Sequence, residues 1–248
     1  MVRTERQREI LSILRSEGFT SAKSLSERLY ISESSIRRDL GALERGGLVK
    51  RSYGGAEIIS SAKAVLSFDR RSYENTELKK KIAEKARCLI KGGDIIFLEQ
   101  SSTCFFLAEA IMHVSDVTVV TNNLEIIHLL SDSDIKLICT GGGVFKRNKN
   151  CLIGNVCESG FASVHADVAF FSTKAISDEG VIYDCTEEEV SLRRAILANA
   201  KKRVYLCDSS KFGSTSAYRQ CSLEDIDAVV SDGENPTLRE KFPQVEFI

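Results

Sequence analysis

The chain has 248 residues, 43% hydrophobic and 28% charged, a composition typical of an ordinary globular protein with one large or two smaller domains. No apolar run reaches the roughly 18 residues that a membrane span needs, and no signal-peptide core opens the chain, so we expect a cytoplasmic protein. The net charge of −1 is uneven, with 11 Lys and Arg against 7 Asp and Glu in residues 1–56, and 23 against 28 thereafter. This basic N-terminal segment is typical of a module that meets a phosphate backbone.

The cysteines and histidines show no metal or disulfide pattern. All eight cysteines lie beyond residue 87, none forms a Cys-x-x-Cys pair, and the histidines at 113, 128 and 165 are scattered. We therefore expect free, buried thiols, no metal and no cofactor.

Three short helical patterns open the chain. The first predicts a helix over about residues 4–16, the second begins at the capping residue Ser21, and the third begins at the capping residue Ser32. The third helix is expected to end at Gly46 and Gly47. Because only about three residues separate the second and third helices, the pattern predicts a helix-turn-helix.

The third helix carries an outward basic stripe. At about 100° per residue, Ser34, Arg38 and Arg45 point away from the apolar face of Ile36, and Arg37 lies on the flank. Such a stripe fits the major groove of DNA, whereas the alternative is a solvated charged face.

Residues 48–56 predict a short β-hairpin, or wing, whose basic residues would hold neighbouring phosphates. The residues predicted to contact DNA are Ser21, Ser32, Ser34, Ser35, Arg37, Arg38, Arg45, Lys50, Arg51, Tyr53 and Gly54.

The rest of the chain alternates short apolar strands with helices, which predicts an α/β domain with a mainly parallel sheet buried on both faces. We predict a winged helix-turn-helix domain over 1–57, an irregular linker over 58–75 and the α/β domain over 76–248. The predicted strands are 94–98, 117–121, 135–140, 168–172, 203–207, 228–230 and 245–248, and the predicted helices are 76–86, 104–111, 124–130 and 187–200.

Residues 6–56 resemble the DNA-binding domain of the DeoR family of bacterial repressors. The matching segments are Arg6-Gln7-Arg8-Glu9-Ile10-Leu11, Ser32-Glu33-Ser34-Ser35-Ile36-Arg37-Arg38-Asp39-Leu40 and Lys50-Arg51-Ser52-Tyr53-Gly54-Gly55-Ala56. One departure is Tyr30, where family members usually have glycine in the turn, and we expect it to be tolerated at a small cost.

The resemblance continues through Ser67-Phe68-Asp69-Arg70-Arg71, the strand 93–98, the segment 120–124, the glycines 141–143 and the segment 208–213. It implies a C-terminal domain similar to ribose-5-phosphate isomerase and glucosamine-6-phosphate deaminase, which binds a phosphorylated sugar or related metabolite and controls operator binding. Loops at the carboxyl ends of parallel strands would form the pocket. The residues predicted to bind the effector are Ser101, Ser102, Thr103, Asn122, Gly141, Gly142, Lys174, Glu187 and Lys211.

Each of these loops has an ordinary turn or cap as its alternative interpretation, and Thr186 with Glu189 predicts a capping box. Two loops also depart from the family. Residues 99–103 lack its glycine, and Lys174 replaces a small polar or acidic residue. We expect an altered effector preference, towards a more anionic ligand, or a weakened site.

Two other functions remain open. An isomerase- or deaminase-like enzyme would need a carboxylate base, for which Glu99, Asp184 and Glu187 are candidates. A DNA-binding protein with a degenerate sensor would respond to no metabolite. We expect a homodimeric or homotetrameric repressor that is not an enzyme, since one small module contacts too few bases for specificity, although an activator fits the same pattern.

Overall fold

The computed structural model describes residues 3–45, 47–59 and 68–248. The chain divides into two compact units, Met1–Glu74 and Asn75–Ile248. Gly46, Ser67 and the larger part of the predicted linker therefore lie outside the described residues.

The N-terminal unit is a winged helix-turn-helix. Its helices are α1 (Arg3–Glu17), α2 (Ala22–Leu29) and α3 (Glu33–Arg45), and its strands β1 (Thr20–Ser21), β2 (Val49–Ser52) and β3 (Gly55–Ile58) form an antiparallel sheet in the order β1-β3-β2. Ile10, Leu14, Leu25, Ile36 and Leu40 are almost fully buried between the three helices. The predicted helices and hairpin are thus confirmed, whereas β1, with two residues, is too short to show a strand period.

The predicted irregular linker contains a helix, α4 (Phe68–Tyr73). Phe68 is only 4% exposed, so α4 is held by packing. The prediction was wrong here because six residues are too few for a helical period to stand out.

The C-terminal unit is built on a seven-stranded parallel sheet, as predicted. Its strands are β4 (Ile95–Leu98), β5 (Thr118–Thr121), β6 (Lys136–Cys139), β9 (Ala166–Phe171), β12 (Ala200–Cys207), β14 (Ala228–Ser231) and β15 (Glu246–Phe247), in the order β15-β14-β12-β9-β4-β5-β6.

Helices cover both faces of this sheet. The first helices of this unit, α5 (Thr76–Arg87), α6 (Ser102–Ile111) and α7 (Leu124–Leu130), share one core with Ile96, Leu98 and Phe170. On the opposite face, α8 (Asn155–Ala162) and α9 (Glu187–Ala198) pack against Phe97 and Ala169. The final helix is α10 (Pro236–Lys241).

Two smaller sheets were not predicted. A hairpin joins β7 (Gly143–Phe145) to β8 (Asn148–Ile153), and an antiparallel sheet joins β10 (Ala175–Ile176), β11 (Val181–Asp184) and β13 (Tyr218–Ser222). β7 and β10 are only three and two residues long, and β8 and β13 mix polar with apolar residues, so their hydrophobic pattern is weak.

Two other predictions need correction. The helix predicted to reach Ala200 ends at Ala198, because Asn199 leaves helical geometry and Ala200 already pairs with Ala166. All eight cysteines are free, but Cys88 and Cys139 are exposed rather than buried. Among the residues described, no helix is long and apolar enough to cross a bilayer.

Candidate DNA-binding surface and effector pocket

The recognition helix α3 separates an apolar face from a basic one. Ile36 is completely buried, whereas Ser34, Arg38 and Arg45 are all exposed on the opposite side. The structure therefore places these three side chains on one solvent-facing stripe, as the helical period predicts.

The basic residues of this surface differ in how far their charge is neutralised. Arg37 donates to Glu33 at 3.0 Å, and Arg51 lies 3.9 Å from the carboxylate of Glu44. Within the described part of the chain, Arg38, Arg45 and Lys50 have no carboxylate partner, so their charges are free to meet phosphates or base edges.

Serine hydroxyls cluster at the start of α3. The Ser32 hydroxyl lies 3.1 Å from that of Ser34 and 3.0 Å from that of Ser35, and it accepts weakly from the Ser35 backbone N–H at 3.4 Å. Ser21 instead caps α2, accepting from the Ser24 N–H at 3.1 Å. These hydroxyls and the adjacent helix N-termini suit phosphate oxygens.

The wing turns tightly at Tyr53 and Gly54, whose φ angles of 41° and 79° are both positive, as in a type I′ hairpin. Tyr53 is fully exposed at the tip. The neighbouring Gly55 was not predicted as important, yet a Cβ there would lie 2.4 Å from the Thr20 carbonyl oxygen. Only glycine admits this close approach of β1 and β3.

A buried carboxylate ties α3 to α1, and sequence reasoning missed it. Asp39 is 1% exposed, its Oδ2 accepts from the Arg6 Nε, and its Oδ1 accepts from Gln7 Nε2 at 3.3 Å. The hydrogen bond to Asp39 raises the pKa of the Arg6 guanidinium. Gln7 in turn accepts from the Tyr73 hydroxyl at 3.1 Å. The sequence did contain a sign of this buried carboxylate. Asp39 lies three residues after Ile36 on the same helix, which places it on the buried face.

In the C-terminal unit, three strand ends bring side chains of the predicted pocket together. The Lys211 ammonium donates to the Ser172 hydroxyl at 2.7 Å, and the Thr103 hydroxyl lies 3.4 Å from the same Ser172 oxygen. Ser101 and Ser102, like Thr103, are buried at the N-terminus of α6, where Ser101 accepts from the Cys104 N–H at 3.1 Å. Hydroxyls, a helix N-terminus and an ammonium are thus assembled at one edge of the sheet.

A buried ion cluster lies beside this assembly. Arg193 is 2% exposed and reaches Glu99 at 3.2 Å and Asp184 at 2.9 Å. Burial would lower the pKa of Arg193, but the attraction of Asp184 and Glu99 outweighs it and the pKa is raised. Arg193 was not predicted, although its spacing from Val190 and Ile196 places it on the buried face of α9.

The Glu99 carboxylate also accepts hydrogen bonds from two backbone N–H groups. Its Oε1 accepts from the N–H groups of Ser101 and Ser172, each at 3.1 Å. These donors follow β4 and β9, at the strand ends where the effector site is predicted. The altered loop therefore places a fixed protein anion next to the predicted effector site.

Asn122 and Gln100 form a second polar group at the ends of β4 and β5. Asn122 Nδ2 donates to Gln100 Oε1 at 3.1 Å and to the Leu152 carbonyl at 2.9 Å. Gln100 Nε2 and Asn122 Oδ1 are buried without a hydrogen-bond partner among the residues the structure describes. One hydroxyl group, both donor and acceptor, would satisfy both atoms.

Among the described residues, the remaining predicted effector residues make no hydrogen bond or ion pair with Lys211. Gly141 and Gly142 have positive φ angles. A Cβ on Gly142 would lie 2.7 Å from the Ile153 carbonyl oxygen, so close packing alone explains why glycine is needed at this position. The side chains of Lys174 and Glu187 are exposed, and neither makes an ion pair in the described ranges.

The predicted capping box of α9 forms in a modified way. The Thr186 hydroxyl accepts from the Glu189 N–H at 3.3 Å and donates to the Glu189 carboxylate at 2.8 Å. The Glu189 backbone and carboxylate therefore both bond to the Thr186 hydroxyl.

Comparisons with known proteins agree with this architecture. A family model of the DeoR-like helix-turn-helix domain matches residues 6–62, and one of the DeoR C terminal sensor domain matches residues 74–233. The HTH-type transcriptional regulator GolR of Listeria innocua is 34% identical over 240 residues, covering 96% of this chain and 94% of that protein. The glycerol-3-phosphate regulon repressor of Escherichia coli is 30% identical, covering 95% and 93%.

Among solved structures, ribose 5-phosphate isomerase A from Methanocaldococcus jannaschii aligns with a TM-score of 0.43 and 19% identity, covering 56% of this chain and 55% of that chain. This similarity is too weak to carry a functional conclusion. The two family models together span most of the sequence, one over each structural unit. The chain belongs to the DeoR family of helix-turn-helix transcriptional regulators.

Proposed function

We propose that the chain is a repressor of an operon for sugar or polyol metabolism, released from its operator by a phosphorylated metabolite. The observation that carries the DNA-binding half is the exposed stripe of α3, on which neither Arg38 nor Arg45 has a carboxylate partner among the described residues. Lys50 of the wing is also exposed and has no carboxylate partner there. Arginine reads guanine edges in the major groove, and a wing lysine holds an adjacent phosphate.

The effector half of the proposal rests on the assembly of Thr103, Ser172 and Lys211. An ammonium and hydroxyls near a helix N-terminus favour an anionic group such as a phosphate. The unsatisfied atoms of Gln100 and Asn122 favour a hydroxyl on the same ligand. The name of the E. coli relative, a glycerol-3-phosphate regulon repressor, supports a phosphorylated sugar or polyol.

We infer that the protein acts in the cytoplasm as a homodimer or homotetramer, because two half-sites supply specificity that one module lacks. We do not propose a catalytic activity for this chain. The candidate bases Glu99 and Asp184 are both engaged by Arg193, and Glu187 is exposed on α9. A base held in a buried ion pair is poorly placed to take a substrate proton.

A second candidate is a regulator with a degenerate sensor. It is favoured by Glu99, whose carboxylate accepts the Ser101 and Ser172 N–H groups that would bind phosphate. A fixed carboxylate there repels a phosphate unless the ligand reaches Lys211 by another approach.

Thermal unfolding with glycerol 3-phosphate, ribose 5-phosphate, inorganic phosphate and glycerol separates these two candidates. A bound ligand at a hundredfold excess over its Kd stabilises the folded protein by about 2.7 kcal/mol. We expect either glycerol 3-phosphate or ribose 5-phosphate to raise the melting temperature, and Lys211→Met to abolish the rise. Lys174→Met, at an exposed lysine outside the assembly, is the matched control. No response to either compound would favour the degenerate sensor.

A further inference from the structure

Asn75, the first residue of the C-terminal unit, has an unusual backbone and side chain. It precedes α5 with φ 53° and ψ 34°, in the left-handed region that L residues rarely adopt, and its side chain makes no cap to the helix. Asparagine normally caps in this position. Here its Nδ2 instead donates to Asp208 Oδ1 at 3.1 Å and to the Ser210 hydroxyl at 2.9 Å.

Asp208 connects Asn75 to the proposed effector site. This carboxylate is 1% exposed and lies 3.3 Å from the Lys211 ammonium, which also donates to Ser172. Burial opposes ionisation, but Lys211 and the Ser210 hydroxyl outweigh it and lower the pKa of Asp208, so the carboxylate is charged near neutral pH. An anionic ligand that reaches Lys211 competes with Asp208 for the same ammonium.

On the other side of Asn75, the chain is tied to the recognition helix. Tyr73 packs against the core of the N-terminal unit and donates its hydroxyl to Gln7, and Gln7 donates to Asp39 of α3. Only Glu74 separates Tyr73 from Asn75 in the sequence. Asn75 is therefore only two residues away from a side chain that is hydrogen-bonded within the DNA-binding unit.

We propose that Asn75 is the positioning residue through which the state of the Asp208–Lys211 pair reaches the DNA-binding unit. The inference rests on the proposed function, since it assigns the route by which the effector acts. Ligand binding at Lys211 frees the Asp208 carboxylate, which changes the hydrogen bonds that hold Asn75 in its left-handed conformation. The segment from Tyr73 to Asn75 then changes its angles, and α1 and α3 lose part of their support from Tyr73.

Hydrogen exchange on the full chain, without ligand or DNA, tests this route. Asp208→Asn removes the charge attraction to Lys211 while keeping an acceptor for Asn75, and it imitates the loss of that ion pair. We expect several-fold faster exchange in the peptides of α1 and α3. In an Asn75→Ala background, adding Asp208→Asn should produce no further change in those peptides.

The matched control is Asn235→Ala, which removes an asparagine whose side chain caps α10 by accepting from the Leu238 N–H at 3.0 Å. In that background the effect of Asp208→Asn on α1 and α3 should persist in full. If Asp208→Asn fails to fold, Ser210→Ala perturbs the same hydrogen bonds more gently and should change the same peptides.

Changes confined to residues 75–248 would overturn the inference. Operator binding by the wild-type protein is measured in parallel to separate the two ideas. Coupled exchange in a protein that binds no operator would contradict the proposed function alone. Operator binding without coupled exchange would contradict the role of Asn75 alone.

Discussion

At the scale of single residues, some basic side chains on the recognition surface have a carboxylate partner and others do not. Arg38 is exposed without a carboxylate partner in the described part of the chain, and Lys50 is exposed on the wing. We expect Arg38→Ala to weaken operator binding by about 1–3 kcal/mol and to relax base preference at one position. Fluorescence anisotropy with the operator and single-base variants measures both effects.

Lys50→Ala should behave differently, since a lysine on a phosphate carries no sequence information. Binding should weaken equally on all sequences, and the slope of log affinity against log salt should fall by about 1. Arg219→Ala, at an exposed arginine of β13, serves as the control and should leave binding intact. Full affinity in the Arg38 variant would mean that α3 is not the recognition helix.

Tyr30 occupies a backbone conformation that is unfavourable for a residue with a side chain. It ends α2 in a left-handed conformation, φ 54° and ψ 43°, and its side chain is 95% exposed. Glycine adopts this conformation without the steric penalty of about 1 kcal/mol that a Cβ incurs. We expect Tyr30→Gly to stabilise the N-terminal unit by about that amount in urea unfolding. Destabilisation would show that the tyrosine ring makes compensating contacts.

At the scale of elements, Asp39 joins α1 to α3 through Arg6 and Gln7. Asp39→Asn removes the charge while keeping the shape. We expect it to destabilise the N-terminal unit by about 1.5–3 kcal/mol, the range for hydrogen bonds to charged groups. Urea unfolding of the full chain measures the loss. Glu44→Gln, at an exposed carboxylate of the same helix, should change it little, and equal effects of both variants would refute a special role for Asp39.

The buried ion cluster of the C-terminal unit predicts non-additive mutational effects. Arg193→Met leaves Glu99 and Asp184 buried without their cation and should cost about 3–5 kcal/mol of stability. Adding Glu99→Gln and Asp184→Asn should recover much of that loss, because the uncompensated charges are then gone. Chemical denaturation of the three proteins measures this. A triple variant as unstable as Arg193→Met would indicate lost packing rather than lost charge balance.

Helices and strands with a strong hydrophobic period could be predicted from the sequence. Those stabilised mainly by contacts with distant residues could not. The helix-turn-helix and the apolar parallel strands follow from local patterns, whose signal is carried by residues such as Ile36 and Phe97. The β7–β8 hairpin, the small sheet around β11 and the helix α4 depend on contacts with distant residues, so their own sequences carry little signal.

The candidate sites show the same limit. The outward stripe of α3 could be predicted because a helix has a fixed period, whereas the contact of Arg51 with Glu44 joins two different elements and depends on tertiary packing. In the sensor, Thr103 and Lys211 could be placed at strand ends, but their meeting at Ser172 depends on strand order. Arg193 follows the buried period of α9, but its pairing with Glu99 could not be predicted, because the two residues are far apart in the sequence.

At the scale of the whole molecule, regulation requires that a ligand bind one arrangement of the DNA-binding units better than another. The operator affinity falls only as far as the ligand discriminates between those arrangements, typically by about 1–3 kcal/mol of coupling. The reciprocal effect follows by linkage. Saturating operator DNA should weaken effector binding by the same factor.

The most direct test of the central claim is a gel shift with DNA from upstream of the chain's own and neighbouring genes, repeated with a panel of sugar and polyol phosphates. The account predicts a specific complex that one phosphorylated metabolite releases, and a Lys211→Met protein that still binds DNA but no longer responds. A specific complex that no metabolite affects, or a response that survives in Lys211→Met, would contradict it.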